Sequence, residues 1–154
     1  MKILVIGQGG REHAIVHALQ KSSQITSLSC FPGNPGMESP VACPTLDGSH
    51  QSLINHCRKE KIDLVIIGPE APLVSGLADE LRKEGFLVFG PNKEGAQLEA
   101  SKSFAKEFME RHGVPTGTSK RVHSLEQVME ISDNFSSPYV LKADGLAGGK
   151  GVFI

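Results

Sequence analysis

The stretch Lys142-Ala143-Asp144-Gly145-Leu146-Ala147-Gly148-Gly149-Lys150-Gly151 places two lysines around a run of glycines. Ammonium groups beside unhindered backbone amides are the chemistry that holds a polyphosphate. The phosphate-loop pattern G-x-x-x-x-G-K-[ST] fits only in its middle, because Asp144 stands at its first glycine and Gly151 replaces its hydroxyl residue. Both flanks read as strands, so no helix N-terminus is offered. The expectation is a hairpin loop that folds over a triphosphate, with Lys142 fixed on a strand beside the α- and β-phosphates. A flexible hairpin with solubilising lysines is the alternative.

A second glycine loop, Gly7-Gln8-Gly9-Gly10-Arg11-Glu12, lies between an apolar run and a helix. Glycines permit the tight turn, and the helix start offers free N–H groups and a positive dipole end to an anion. A dinucleotide fingerprint fails here. Glu12 occupies the third glycine position, and the second strand ends Ser29-Cys30-Phe31-Pro32 without an acidic residue for a ribose diol. Arg11 and backbone amides suit a phosphate, and Glu12 suits hydroxyls or an amine. A turn that only lets strand and helix pack is the alternative. Glu70 ends another strand in the same way and can bind ribose hydroxyls, unless it is simply an acid favoured near a helix start.

These loops need a scaffold, and the apolar pattern supplies one. Lys2–Ile6, Ile25–Phe31, Asp63–Ile67 and Phe86–Phe89 read as strands, each ending near Gly or Pro. Helices are expected over Arg11–Leu19, after an N-cap at Asp47 or Ser49, and along a stripe of Leu73, Leu77 and Leu81 that Gly85 can end. Strand and helix alternate, which predicts an α/β, Rossmann-like doubly wound parallel sheet that binds ligands beyond the carboxyl ends of its strands. The loops at Gly7–Gly10, Pro32–Gly36 and Gly68–Glu70 then face one crevice.

A longer helix is expected from Glu94 to Arg111, with Leu98, Ala105 and Phe108 on one stripe. His112-Gly113-Val114-Pro115 breaks the pattern, giving a first domain over 1–111 and a second over 112–154. The second begins with a strand near Thr118–Val122 and a helix opened by Ser124, where Gln127 completes a possible capping box. A strand at Tyr139–Lys142 and the stub Val152-Phe153-Ile154 flank the glycine loop. Such a segment lies near the lower size limit for an unstapled domain, and its apolar ending reads as a cut chain.

The 154 residues carry a net charge of −1, which excludes a basic stripe for nucleic acid or a polybasic membrane patch. Cys30, Cys43 and Cys57 are odd in number and widely spaced, as in reduced cytoplasmic thiols. No apolar stretch approaches a membrane span. His13 and His17 lie four apart on a helix, but no intervening Glu or third ligand supports a metal site.

Gly7–His13, Pro32-Gly33-Asn34, Ile67–Leu73, Phe89-Gly90-Pro91, Gln97–Lys106 and Lys142–Val152 together resemble the phosphoribosylamine–glycine ligase family, ATP-grasp enzymes of purine biosynthesis. The resemblance covers essentially the whole chain. Gly148 and Pro35 stand where the family more usually has Ala, and neither change removes a functional group. The resemblance implies ATP-driven joining of 5-phosphoribosylamine to glycine through a glycyl phosphate. Another ATP-grasp purine-pathway ligase, or a non-catalytic phosphoribosyl-binding module, is the alternative.

By matching position, the resemblance assigns Lys102 and Lys142 to the ATP phosphates and Gly145, Gly148, Gly149, Lys150 and Gly151 to a lid loop. It assigns Gly9, Gly10, Arg11, Glu12, Asn34 and Glu70 to the phosphoribosylamine side. The implied cofactors are ATP and Mg2+ (or Mn2+). The family's metal ligands and adenine pocket lie past the position of Ile154, so no metal ligand and no confident catalytic residue is expected in this chain, which alone is expected to be inactive. The expected parent is a cytoplasmic monomer acting on small molecules.

Overall fold

Four short apolar segments pair side by side in the computed structural model, which describes residues 1–37, 41–136, 138–148 and 150–154. They are β1 (Lys2–Gly7), β2 (Ser27–Pro32), β3 (Leu64–Ile67) and β4 (Leu87–Phe89), in the order β2-β1-β3-β4. All pairings are parallel: Val5 lies beside Cys30 on one side and Ile66 on the other, and Val65 lies beside Val88. Parallel strands are joined by crossovers, which here are α1 (Gly10–Leu19), α2 (His50–Glu60), α3 (Glu70–Ser75) and α4 (Leu77–Lys83).

The continuous apolar reading of β1 has a direct cause, because both faces of the sheet are covered. Leu4 and Ile6 pack with Leu53, Ile54 and Cys57 of α2 and with Leu73, Leu77 and Leu81. Ile3 and Val5 point the other way, into a cluster with Val16 of α1, Leu28 and Cys30. Ser49 caps α2 by accepting from the Ser52 N–H, and Asp47 in turn accepts from the Ser49 amide and hydroxyl. The expected stripe of Leu73, Leu77 and Leu81 is buried, but on two helices. Gly76, at φ 101°, ends α3 and starts α4.

The chain divides into two compact units, Met1–Ala96 and Gln97–Ile154, so the division falls within α5 (Lys93–Ala100). The sequence reading puts this division at the end of the connecting helix. The expected long helix is also two: Ser101 leaves helical geometry and caps α6 (Lys102–Arg111) by accepting from the Phe104 N–H. This break resets the stripe, and Leu98 and Phe108 are exposed.

In the second unit, α7 (Leu125–Ser132) starts after Ser124, whose hydroxyl accepts from the Gln127 N–H. The Gln127 side chain returns to the His123 amide, one residue earlier than a strict capping box. β5 (Leu141–Lys142) and β6 (Val152–Phe153) pair antiparallel, with Leu141 opposite Phe153. Residues 118–122 form no strand, since neither β5 nor β6 pairs with them and a strand without a ladder does not persist.

Candidate functional sites

In the first unit, three loops meet at the carboxyl ends of β1, β2 and β3. The Gly33 N–H donates to the Gly7 carbonyl at 3.1 Å, and the Gly68 N–H donates to the Ile6 carbonyl at 3.0 Å. Asn34 joins them further: its Nδ2 donates to the Gln8 carbonyl and its Oδ1 accepts from the Gly36 N–H, each at 3.0 Å. The predicted residues Gly9, Gly10, Arg11, Glu12, Asn34 and Glu70 therefore do converge around one loop cluster.

Arg11 ties that cluster together. Its Nε donates to Glu12 Oε1 and its Nη1 to Glu70 Oε1, both at 3.0 Å. The guanidinium thus spans the start of α1 and the start of α3. Hydrogen bonds from Arg11 to Glu12, then to Glu70, raise the Arg11 pKa. Glu70 is held below the usual carboxylate range by its own backbone N–H first and by Arg11 second. Burial pushes the neighbouring Cys30 thiol up to about 11, and its Sγ donates to the Gly7 carbonyl.

Glu12 is placed differently from a carboxylate that faces a ligand. It is only 4% exposed. Its Oε2 accepts from the Gly9 N–H at 2.9 Å while Oε1 takes Arg11, so both oxygens are engaged within the loop. A β-carbon at Gly7 or Gly68 would fall within 2.8 Å of the Glu12 side chain. These two glycines make room for a buried carboxylate, a requirement that glycine spacing alone does not reveal. Arg11 and Glu70 remain accessible, at 57% and 39% side-chain exposure, and nothing crowds the Gly10 α-carbon at the start of α1. The open groups at this edge are one guanidinium, one carboxylate and a helix N-terminus, a set that suits a phosphate joined to hydroxyl or amine groups.

In the second unit, a cleft of about 750 Å³ is lined by Lys102, Lys106, Lys120, Arg121, Lys142 and Asp144, among others. Lys102 and Lys142, on α6 and β5, are thus on one cavity. The loop between β5 and β6 is a hairpin turn in which Gly145, Gly148 and Gly151 all have positive φ. Gly149, also assigned to this loop, lies outside the described residues. Lys150 is exposed, and its N–H donates to the Ala147 carbonyl.

Asp144, which the sequence marks only as a loop member, is the best-connected side chain here. Its Oδ1 accepts from the Lys102 N–H at 2.7 Å and the Gly145 N–H at 3.0 Å, and more weakly from the Ser103 N–H. The Ser101 hydroxyl donates to it, and the Lys102 ammonium donates to the Gly145 carbonyl at 2.8 Å. Hydrogen bonding from Ser103, its side chain first, and from the Gly145 and Lys102 amides holds Asp144 well below the usual carboxylate range. No local signal marks this role, because the capped helix begins far upstream in the chain. Among the described residues, no group of three or more His, Cys, Asp or Glu side chains is arranged to hold a metal ion. No helix among them is long and apolar enough to cross a membrane.

Comparison with known proteins adds an independent line. Residues 1–99 match the phosphoribosylglycinamide synthetase N domain, and residues 100–154 match the phosphoribosylglycinamide synthetase ATP-grasp (A) domain. The chain is 49% identical over 156 residues to a phosphoribosylamine–glycine ligase of Leifsonia xyli, covering all of this chain and 37% of that protein. It is 46% identical over 155 residues to the ligase of the same name from Agrobacterium fabrum, again covering 37% of it. The crystal structure of the Thermotoga maritima phosphoribosylamine–glycine ligase superposes with a TM-score of 0.73 at 33% identity, over 99% of this chain and 35% of that one. The chain therefore spans little more than a third of the length of these relatives.

Proposed function

The chain belongs to the phosphoribosylglycinamide synthetase family, and from that premise we propose that it supplies two sites of an ATP-dependent carbon–nitrogen ligase. One is the phosphoribosylamine site and the other is the first part of the ATP site. The overall reaction joins 5-phosphoribosylamine to glycine and converts ATP to ADP and phosphate. A carboxylate is a poor electrophile, so a glycine oxygen first takes the γ-phosphoryl group. The amine then attacks the acyl carbon, phosphate leaves with the bonding pair, and the nitrogen gives up a proton. Such chemistry asks the protein mainly to position groups and neutralise charge.

The observation that carries this reading is that Lys102 and Lys142, from separate elements, line the same cleft at the base of the glycine hairpin. Two ammonium groups beside the backbone amides of a glycine hairpin match a triphosphate. Lys102 uses one donor on the Gly145 carbonyl, which leaves two for phosphate oxygens. Gly145, Gly148, Gly149, Lys150 and Gly151 form the loop that covers the nucleotide. In the first unit, Arg11 and the Gly10 amide at the start of α1 take the sugar phosphate, Glu70 takes hydroxyl or amine groups, and Gly9, Asn34 and Glu12 hold the loops in shape.

ATP-grasp relatives use a divalent cation with the nucleotide. The described residues offer no donor set for it, and Asp144 is engaged with α6, so no step through a metal is assigned to this chain. The enzyme is proposed to be cytoplasmic and monomeric.

The test is a substrate panel on the full-length protein that carries this chain. ADP should form only when ATP, glycine and phosphoribosylamine are all present, and Arg11→Ala should raise the KM for phosphoribosylamine while leaving that for ATP unchanged. Bicarbonate or formate replacing glycine would overturn the assignment.

A further inference from the structure

The N-terminus of α6 presents the N–H groups of Lys102, Ser103 and Phe104, which the helix itself cannot satisfy. Ser101 accepts from Phe104 at 3.1 Å, as an ordinary N-cap does. The other two go to Asp144, a residue of the glycine hairpin: Lys102 N–H at 2.7 Å and Ser103 N–H at 3.4 Å. The carboxylate also sits at the positive end of the α6 dipole. The contact is returned by the Lys102 ammonium, which donates to the Gly145 carbonyl at 2.8 Å. Asp144–Gly145 and Ser101–Ser103 therefore grip each other from both sides.

We propose that Asp144 is a positioning residue that pins the first turn of the glycine hairpin to the start of α6 and so fixes Lys102 and Lys142 relative to each other. Lys102 is the first residue of α6, and Lys142 ends the strand that leads into Asp144. One carboxylate thus sets the phosphate-facing geometry of both. Beyond the pinned turn the hairpin is open: a β-carbon at Gly145 or Gly148 would meet nothing within 4 Å, and Leu146 is exposed. The far end is held separately, where the Ala143 N–H donates to the Gly151 carbonyl at 2.8 Å. The hairpin is therefore held at two places, at Asp144–Gly145 by α6 and at Ala143–Gly151 by its own ladder. This inference deepens the nucleotide-site reading and rests on it.

Two variants test it, Asp144→Ala and the isosteric Asp144→Asn, each checked by far-UV circular dichroism. In the 154-residue chain, hydrogen exchange reads the clasp directly. Asp144→Ala should speed exchange at the Lys102, Ser103 and Gly145 amides about five- to ten-fold, with Phe104 little changed under its Ser101 cap. Asp144→Asn, which keeps an acceptor and loses the charge, should give a smaller increase. In the full-length protein, Asp144→Ala should raise the KM for ATP at least as much as Lys102→Ala does, and the double variant should be no worse than the poorer single one. The KM values for glycine and phosphoribosylamine should not move. Unchanged exchange at Lys102 and Gly145 overturns the clasp. Faster exchange with an unchanged KM for ATP overturns its positioning role. If the wild-type protein fails to use ATP at all, the nucleotide assignment falls instead, and the exchange rates still decide the clasp.

Discussion

Replacing Gly68 by alanine tests why the first glycine loop has its composition. The new β-carbon would lie 2.3 Å from Glu12 Oε1, 2.5 Å from its Cγ and 2.7 Å from its Cδ. Glu12 is 4% exposed and has no open space to swing into. Either the sheet edge shifts, at about 1–3 kcal/mol for overpacking, or the carboxylate moves and forfeits its bonds to Gly9 and Arg11. The Gly9 bond is charge-assisted and partly buried, about 1.5–3 kcal/mol. The Arg11 bond adds little, because the guanidinium is mostly exposed. Gly68→Ala should therefore cost about 1–3 kcal/mol. Glu12→Ala should cost a similar amount, because the Gly9 amide loses its acceptor and a buried side chain is removed. The double variant puts the Gly68 methyl group into the space that Glu12 vacates, so it should cost no more than Glu12→Ala alone. The coupling is then at least the Gly68→Ala cost, about 1–3 kcal/mol, in the opposite sense to simple addition. The assay is urea unfolding of the four proteins by far-UV circular dichroism, since the chain has no Trp to report by fluorescence. Additivity within about 0.5 kcal/mol would refute the argument that Gly68 is there to clear Glu12.

Other expectations follow from burial and charge. Leu81→Ala empties a fully buried position between α4 and the sheet, and should lower unfolding free energy by about 2–5 kcal/mol, read from the urea midpoint. Burial pushes Cys30 and Cys57 each up to about 11 while Cys43 is exposed, so a thiol reagent at pH 8 should modify Cys43 alone in the folded chain and all three in urea; rapid labelling of Cys57 would contradict the core assignment. Asp144 is depressed below its ordinary value of 3.8 by hydrogen bonds to the charged form. Its contribution is therefore complete above that value and is lost only as pH falls through the lowered folded value. The Gly145 and Lys102 amide resonances should keep their bound-state shifts at pH 3.8, and a midpoint at or above that pH would show that the clasp is absent.

The parts of this protein that were legible in its sequence are those set by short-range physics. The β1 run Ile3–Ile6 reads as a buried strand because helices cover both faces, and the Ser49 cap and the Leu73/Leu77/Leu81 stripe follow from local spacing. The breaks at Gly76 and Ser101 were hidden by periodicity that continues across them. In each case one residue leaves helical geometry while its neighbours keep the apolar register. The unformed strand at residues 118–122 failed for a different reason, since strand propensity is realised only with a pairing partner. The candidate sites divide in the same way. Arg11 and Glu70 could be picked out because charges at strand ends are conspicuous, but their bond to each other joins loops that no spacing rule connects. Glu12 looked like a ligand group and is instead internal to its loop, because only the folded chain shows that Gly7 and Gly68 wall it in. Asp144 was the least visible of all, and it holds the most partners. A carboxylate whose donors come from an element far upstream leaves no periodic trace, so its importance emerges only once the unsatisfied N–H groups of α6 are followed to their acceptors.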